Sequence, residues 1–367
     1  MIRVVVLSFW HVHAKDYTAE AINHPDVELA GIWDNDVARG QAAAQQYNVP
    51  FIASLDSIWA DKTIDGVIVT TPTAMHRDIM LAASQAGKHI FTEKVIAATL
   101  REAEQIVAAT QHAGIAFIVN MFRRYHASTL AIKEIIDSGA LGHVTLLRVR
   151  DSHNGALRTP EAPNGWLVER FFDPIEAQGG VLTDLCHPVY LTRFLLGRPT
   201  SVSASYGWHT QRAVEDNAAL SYRYDNGAIG IAETSFTTRY APFTIEAHGT
   251  EGSLMYNQSS GNDLGEERKL IDAGIAVDPA QRLFGLHRKI RVRSTRLDGA
   301  TQGWMVKEIP MGIDPPSAFS QWVGHVHQGT RDSDNTALAL DLSAIVEAAN
   351  LSAVQDRGIR LDQLQRG

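Results

Sequence analysis

The sequence predicts an α/β protein in two parts. A doubly wound parallel sheet spans residues 1–120, and an α+β part with a large, mostly antiparallel open sheet spans residues 121–367. Three observations predict this. Apolar, β-branched runs alternate with helical periodicity through the first third of the chain, the pattern of βαβ units. Those runs are continuously apolar, as strands covered by helices on both faces must be. Beyond residue 121 the alternation stops, and strand candidates follow one another with turn signals between them.

Taken in order, strands are expected at Ile2–Leu7, Val27–Trp33, Gly66–Thr70, His89–Phe91 and Ile115–Val119. Helices are expected between them at Ala14–Asn23, Val37–Tyr47, Ala74–Ala86 and Leu100–Ala113. Gly87 and Gly114 follow two of these helices at C′ positions, where a left-handed residue ends a helix. The layout is that of a Rossmann dinucleotide-binding domain. In the second part a helix at Ser128–Ser138 leads to a strand at His143–Arg150. Residues 151–178 are rich in Pro, Gly and Asn and read as a long loop, which in a compact domain is often functional. A helix at Leu182–Leu196 stops at Gly197 and Pro199. Strands then follow at Ser201–Tyr206, Ala218–Tyr224, Ile229–Thr237, Phe243–His248 and Ser253–Tyr256, and a helix over about residues 335–357 comes last.

A chain of 367 residues exceeds what one hydrophobic core organises. Its 45% hydrophobic and 20% charged residues are ordinary for a globular protein. The net charge of −8 repels polyanions, so no nucleic-acid partner is expected. The basic stretch Arg288, Lys289, Arg291, Arg293 and Arg296 reads as a solvated strand or loop face. A single cysteine, Cys186, permits no intrachain disulfide and suits a reducing compartment. The apolar run in Met1–Trp10 is short for a signal peptide, and no window reaches the roughly 18 apolar residues of a membrane helix. A cytoplasmic protein without a membrane partner is expected.

Open parallel sheets bind ligands outside the carboxyl ends of their strands. The residues there are Ser8, Phe9, Trp10 and His11; then Asp34, Asn35 and Asp36; then Thr70, Thr71, Pro72 and Thr73 with His76; then Thr92, Glu93 and Lys94; and Asn120. Asp34 is placed to accept hydrogen bonds from an adenosine ribose and to repel a 2′-phosphate, while Asp36 is better placed as a helix cap. No Arg follows Asp34 directly, so NAD(H) is expected over NADP(H).

Four motifs in sequence order resemble the Gfo/Idh/MocA oxidoreductases, which include glucose–fructose oxidoreductase and inositol 2-dehydrogenase. They are Asp65–Thr73 with His76, Ala86–Lys94, Gly179-Gly180-Val181-Leu182-Thr183-Asp184 with His187, and Glu246–Leu254. The resemblance covers almost the whole chain. It implies a dehydrogenase that moves a hydride between nicotinamide and a CH–OH group of a sugar, inositol or related polyol. It also implies roles. His187 is the base, and Asp184, three residues earlier on the same expected helix face, orients it or binds a neighbouring hydroxyl. Lys94 meets nicotinamide and substrate and stabilises the alkoxide. Arg123, Arg124 and Tyr125 match an Arg-aromatic segment that meets substrate or ties the domains together. Trp166, in the long loop, is placed either to stack on a sugar or to pack for structure. A homodimer or homotetramer through the second sheet is implied as well.

Two departures stand out. The glycine fingerprint after the first strand is missing, with Ser8, Trp10 and His13 in its places. Val95 replaces the proline after Glu-Lys, so Lys94 is expected to point differently. These leave two alternatives open: a non-redox sugar-binding or regulatory protein with a degenerate phosphate loop, and a glycoside-cleaving enzyme that uses tightly bound NAD. His11-Val12-His13 reads as a specialised turn at the cofactor rather than a metal site, because two histidines need further ligands and none is evident nearby in sequence. His325 and His327 read as ordinary surface or packing residues.

Overall fold

The computed structural model describes residues 1–239, 241, 243–258, 287–310 and 314–364. Among them, β1 (Ile2–Leu7), β2 (Val27–Trp33), β3 (Gly66–Val69), β4 (His89–Thr92) and β5 (Phe117–Val119) form one parallel sheet in the order β2-β1-β3-β4-β5. A single parallel bridge, Ile32 to Phe51, extends its outer edge. The strand order reverses between β1 and β3, which sets the switch point where such sheets bind ligands.

Helices cover both faces. They are α1 (Ala14–Asn23), α2 (Val37–Tyr47), the short α3 (Leu55–Ala60), α4 (Thr73–Gln85) and α5 (Leu100–Ala113). Asp36 caps α2 by accepting from the Arg39 N–H, and Thr99 caps α5 from the Glu102 N–H. Gly114 ends α5 at φ 70°, as a C-terminal glycine should.

The second sheet is built from β6 (Val144–Ser152), β7 (Ser201–Gly207), β8 (Asn217–Arg223), β9 (Ile229–Ser235), β10 (Phe243–Gly249), β11 (Gly252–Gln258), β12 (His287–Ser294), β13 (Met305–Pro310) and the short β14 (Ile359–Arg360). Its order is β13-β12-β11-β10-β6-β9-β8-β7-β14, and only β6–β9 is a parallel pair. In β12, Lys289, Arg291 and Arg293 are exposed while Ile290, Val292 and Ser294 are buried. Lys289, Arg291 and Arg293 of the basic stretch thus form the solvated face of a strand, with period two.

The remaining α-helices among the described residues are α6 (Ala127–Asp137), α7 (Val181–Asp184), α8 (His187–Leu196), α9 (Ala318–Gln328) and α10 (Ser333–Gln355). The single helix expected over Leu182–Leu196 is broken at Leu185-Cys186, and Pro188 lies at the start of α8. Proline has no N–H to continue a helix and disfavours helical backbone before it, so the chain turns there. The division expected at residue 120 is crossed by the returning chain. Phe319 and Trp322 of α9 pack with Val4, Val6, Ile68, Phe91 and Ile118 on one face of the first sheet. A Cβ at Gly66 would stand 2.9 Å from the Trp322 ring, so this packing needs glycine there. On the opposite face, the core continues from Val5, Leu7, Val67 and Ile90 through α10 into the second sheet. By length and hydropathy α10 is long and apolar enough to cross a membrane, which counting uninterrupted apolar runs did not reveal. It lies against β7, α5 and α8, and 56% of that stretch is buried.

Candidate active site

The turn after β1 is tight although glycine is absent. Ser8 holds φ 79°, the left-handed region that glycine favours. Its hydroxyl lies 3.1 Å from Asp34 Oδ1 and 2.9 Å from Asn35 Oδ1, and accepts from the Trp10 N–H at 3.1 Å. The Phe9 N–H donates to Asp34 Oδ2 at 2.6 Å. Asp34 also takes a two-pronged contact from Arg39, whose Nη2 reaches Oδ1 at 2.6 Å and Nε reaches Oδ2 at 3.0 Å. The Asp34 carboxylate is fully buried and its partner Arg39 is 23% exposed, while the nearby Asp36 carboxylate is 53% exposed. Sequence reasoning missed Arg39 because it looked only directly after Asp34.

The Trp10 side chain does not fill the turn. Its indole is buried against Phe171, with ring centroids 5.1 Å apart, and donates to Glu176 Oε2 at 2.6 Å. Arg170, from the same loop, donates to the carbonyls of Trp10 and, at 3.3 Å, of Phe9. Thr70 Oγ1 donates to the Ser8 carbonyl at 2.6 Å. Thr71 Oγ1 is buried at the sheet edge with no hydrogen-bond partner, which suits a ligand's polar group. His76, expected at the cofactor, is buried with its nitrogens at the Val95 and Thr71 carbonyls, 2.9 and 3.2 Å away. It supports the strand ends from behind, and burial lowers its pKa to about 4. Pro72 precedes α4 and begins that helix.

At the end of β4, Glu93 and Lys94 are both buried. Glu93 accepts from the Tyr17 hydroxyl and from the Lys94 N–H. Lys94 Nζ lies 3.6 Å from Glu93 Oε2 and 3.4 Å from Asp184 Oδ1, so it points into the site. The Lys94-Val95 peptide is cis. Asp184 Oδ1 also meets His11 Nε2 at 3.3 Å. Burial opposes every charge here; opposite charges overcome it at Glu93, Asp184 and Lys94, whereas at His11 burial prevails and lowers the pKa. Glu93 falls to about 2 beside His11 and Lys94. Asp184 is held well below the usual carboxylate range by Lys94 and His11. Lys94 is held above its usual value by Glu93 and Asp184.

The broken helix separates Asp184 from His187, correcting the expectation that they share a helix face. No hydrogen bond joins them among the described residues. His187 Nδ1 instead meets the Tyr190 hydroxyl at 3.1 Å, and its ring stands edge-on to Phe122 at 4.7 Å. Burial, with Lys94 and Arg123 nearby, depresses its pKa well below the ordinary value. Arg123 Nε lies 2.6 Å from Asp151 Oδ2, and its guanidinium lies over the Phe243 ring. Arg124 and Tyr125 turn away from this cluster. Arg124 pairs with Asp332 at 3.4 Å, and the Tyr125 hydroxyl accepts from Asn335 at 2.9 Å. Those two residues tie the segment after β5 to the start of α10.

His153, not singled out by sequence, stacks on Phe236 at 4.9 Å and lies 4.7 Å from Trp166. Burial lowers it to about 4, and Asp184 and Lys94 are near enough to act on it. Trp166 is 52% exposed and donates to Asn154 Oδ1 at 3.1 Å. His11 was expected to touch only a cofactor, yet it joins the Lys94–Asp184 pair. Its partner lies 173 residues away, and no local signal marks such a contact.

Residues 6–121 match the family described as "Oxidoreductase family, NAD-binding Rossmann fold", and residues 129–255 match the "GFO/IDH/MocA C-terminal domain". The 1,5-anhydro-D-fructose reductase of Ensifer adhaerens is 32% identical over 248 residues, covering 66% of this chain and 72% of that protein. The inositol 2-dehydrogenase of Rhizobium meliloti is 29% identical over 254 residues, covering 66% and 71%. Among solved structures, levoglucosan dehydrogenase in complex with NADH and levoglucosan superposes with a TM-score of 0.75 at 22% identity, covering 99% of this chain and all of that one, and shows the shared fold.

Proposed function

The chain belongs to the Gfo/Idh/MocA oxidoreductase family, and from that premise we propose that it oxidises or reduces a CH–OH centre of a sugar, inositol or related polyol with a nicotinamide dinucleotide. The observation that carries this reading is the pair of buried Lys94 and half-buried Asp184 beside buried His187 at the switch-point edge of an NAD-binding sheet. The first turn fits the dinucleotide despite its missing glycines. Ser8 takes the left-handed backbone, Trp10 swings its indole into the second domain, and Thr71 Oγ1 waits unpaired.

When bound, the nicotinamide supplies the hydride acceptor or donor. The residues supply the rest. His187 is neutral because burial, Lys94 and Arg123 depress its pKa, so its ring has a lone pair to accept the hydroxyl proton, though as a weakened base. Lys94 stays protonated and sets a positive charge against the developing alkoxide. Asp184 fixes the Lys94 ammonium by a 3.4 Å contact. Arg123 and Trp166 border the substrate, Trp166 as a face for a sugar ring, while Arg124 and Tyr125 stay structural. NAD(H) is favoured because the Asp34 carboxylate stands at the end of β2, where it opposes a 2′-phosphate. Arg39 offsets much of that charge, which keeps the preference over NADP(H) small. Cys186 is buried and unpaired, in keeping with a cytoplasmic location.

The exposed face of the second sheet carries Arg148 and Glu233 as an ion pair, with Met255 and Arg291 on neighbouring strands. A homodimer or homotetramer forms through it in this reading, and light scattering at micromolar concentration tests that: a monomer mass contradicts it. The enzymatic reading is tested by screening sugars and inositols for nicotinamide absorbance change. Turnover with a polyol that is lost in Lys94→Ala, while NADH still binds, supports it. Full turnover in Lys94→Ala removes Lys94 from the mechanism.

A further inference from the structure

The dehydrogenase reading gives His11 and His13 no joint role, yet the fold brings them a third donor. The ligand atoms of His11, His13 and Glu93 all lie within 4.8 Å of one another. His11 Nδ1 stands 3.6 Å from Glu93 Oε1, a spacing suited to two donors on one ion at ~2.0–2.2 Å. A ring nitrogen of each histidine also faces a carboxylate. His11 Nε2 faces Asp184 at 3.3 Å, and His13 Nδ1 faces Asp16 at 2.9 Å. Metal-binding histidines carry this arrangement, because the carboxylate fixes the tautomer and makes the inward nitrogen a better donor. The His13 backbone N–H points at His11 Nδ1 from 3.2 Å, which is consistent with a lone pair on that atom. A metal ion would replace this long contact and would share Glu93 Oε1 with the Tyr17 hydroxyl, which donates to it.

Charge and access agree. The carboxylates of Glu93 and Asp184 flank the ammonium of Lys94, which lies beside the other Glu93 oxygen, while Asp16 faces His13 with Lys15 nearby. His11 and Glu93 are buried, whereas the His13 side chain is 40% exposed and opens a path from solvent.

We propose that His11, His13 and Glu93 bind one divalent first-row metal ion of the zinc class, with Asp184 and Asp16 orienting the two histidines. Two imidazoles and one carboxylate favour such ions over magnesium or calcium, which take oxygen ligands. The site lies in the turn that lacks the glycines, and it stands independently of the redox reading.

The test is a Co²⁺ titration of the chelator-treated full chain, read by visible absorbance, with Zn²⁺ as competitor and elemental analysis for stoichiometry. One equivalent is expected to bind with saturation. His13→Ala weakens it by about 100-fold or more and Asp16→Asn by about 10-fold, while His327→Ala leaves it unchanged. Both critical substitutions fall on partly exposed side chains, and thermal unfolding of the metal-free variants checks that they fold. Absence of saturable Co²⁺ binding overturns the site, as does equal affinity in the wild type, His13→Ala and Asp16→Asn. An NADH titration of the metal-free protein separates the two ideas. Retained NADH binding with no metal binding sinks the metal site alone, and metal binding without NADH binding sinks only the dehydrogenase reading.

Discussion

The turn after β1 and the end of β4 share one edge of the first sheet, and they have diverged in opposite directions. At β4 the chain keeps Glu93-Lys94, and both side chains sit in the charged cluster the family resemblance implies. At β1 it keeps none of the three fingerprint glycines, having Ser8, Trp10 and His13 instead. The second region still makes a tight turn. Its shape comes from side chains and from the other domain: Asp34 and Arg39 from one side, Arg170, Glu176 and Asp184 from the other. A glycine fingerprint stores the turn locally, whereas this one is held by residues up to 173 positions away. The turn after β1 and the Lys94–Asp184 pair are therefore linked through His11.

That comparison can be broken at either region. The largest effect is expected at β4. Lys94→Ala removes the charge set against the alkoxide and lowers kcat by about 10³-fold, with NADH affinity changed far less. Comparable losses in kcat and in NADH binding would show that Lys94 only holds the cofactor. Asp184→Asn is expected next, at about 10²-fold in kcat, because it loosens Lys94 and His11 together. Trp10→Gly restores a family glycine but empties a buried indole site. It costs about 3–5 kcal/mol of stability, read in denaturant unfolding. A neutral or stabilising result would mean the second domain does not hold the turn. The smallest effect is expected from Arg39→Ala, which exposes the Asp34 charge and raises the NADH over NADPH affinity ratio by about 10-fold.

Stability against pH tests the buried cluster as a whole. His11, His76, His153 and His187 all have lowered values in the fold, to about 4 for His76 and His153. The unfolded chain binds protons at these positions below about pH 6.5, and the folded chain does not. Stability is therefore present above about pH 6.5 and falls as pH drops toward 4, by up to about 1.4 kcal/mol per pH unit for each histidine. A flat unfolding midpoint between pH 6.5 and 4.5 would contradict the neutral buried histidines.

The first sheet was legible because each strand is a continuous apolar run and each helix has its own stop, as at Gly114. Asp36 was legible as a cap for the same local reason. The break between α7 and α8 was written in Pro188 but was masked by the apolar periodicity around it. Strands β12 and β13 lay beyond the expected strands; Lys289, Arg291 and Arg293 outweighed the alternating Ile290 and Val292. The motif residues Lys94, Asp184 and His187 could be named from the chain, but their partners could not. His11 to Asp184, Trp10 to Glu176 and Arg170 to the turn are contacts between distant segments. Only the packing of the second domain on the first creates them.

The central claim is that a turn without glycines, braced from the second domain, still holds a dinucleotide. Calorimetric titration of the folded, cofactor-stripped protein with NADH tests it most directly. The account predicts saturable one-to-one binding that weakens at least tenfold in Arg170→Gln, because that guanidinium holds the Phe9 and Trp10 carbonyls. Absence of binding to NADH and NADPH alike in a folded sample would contradict it.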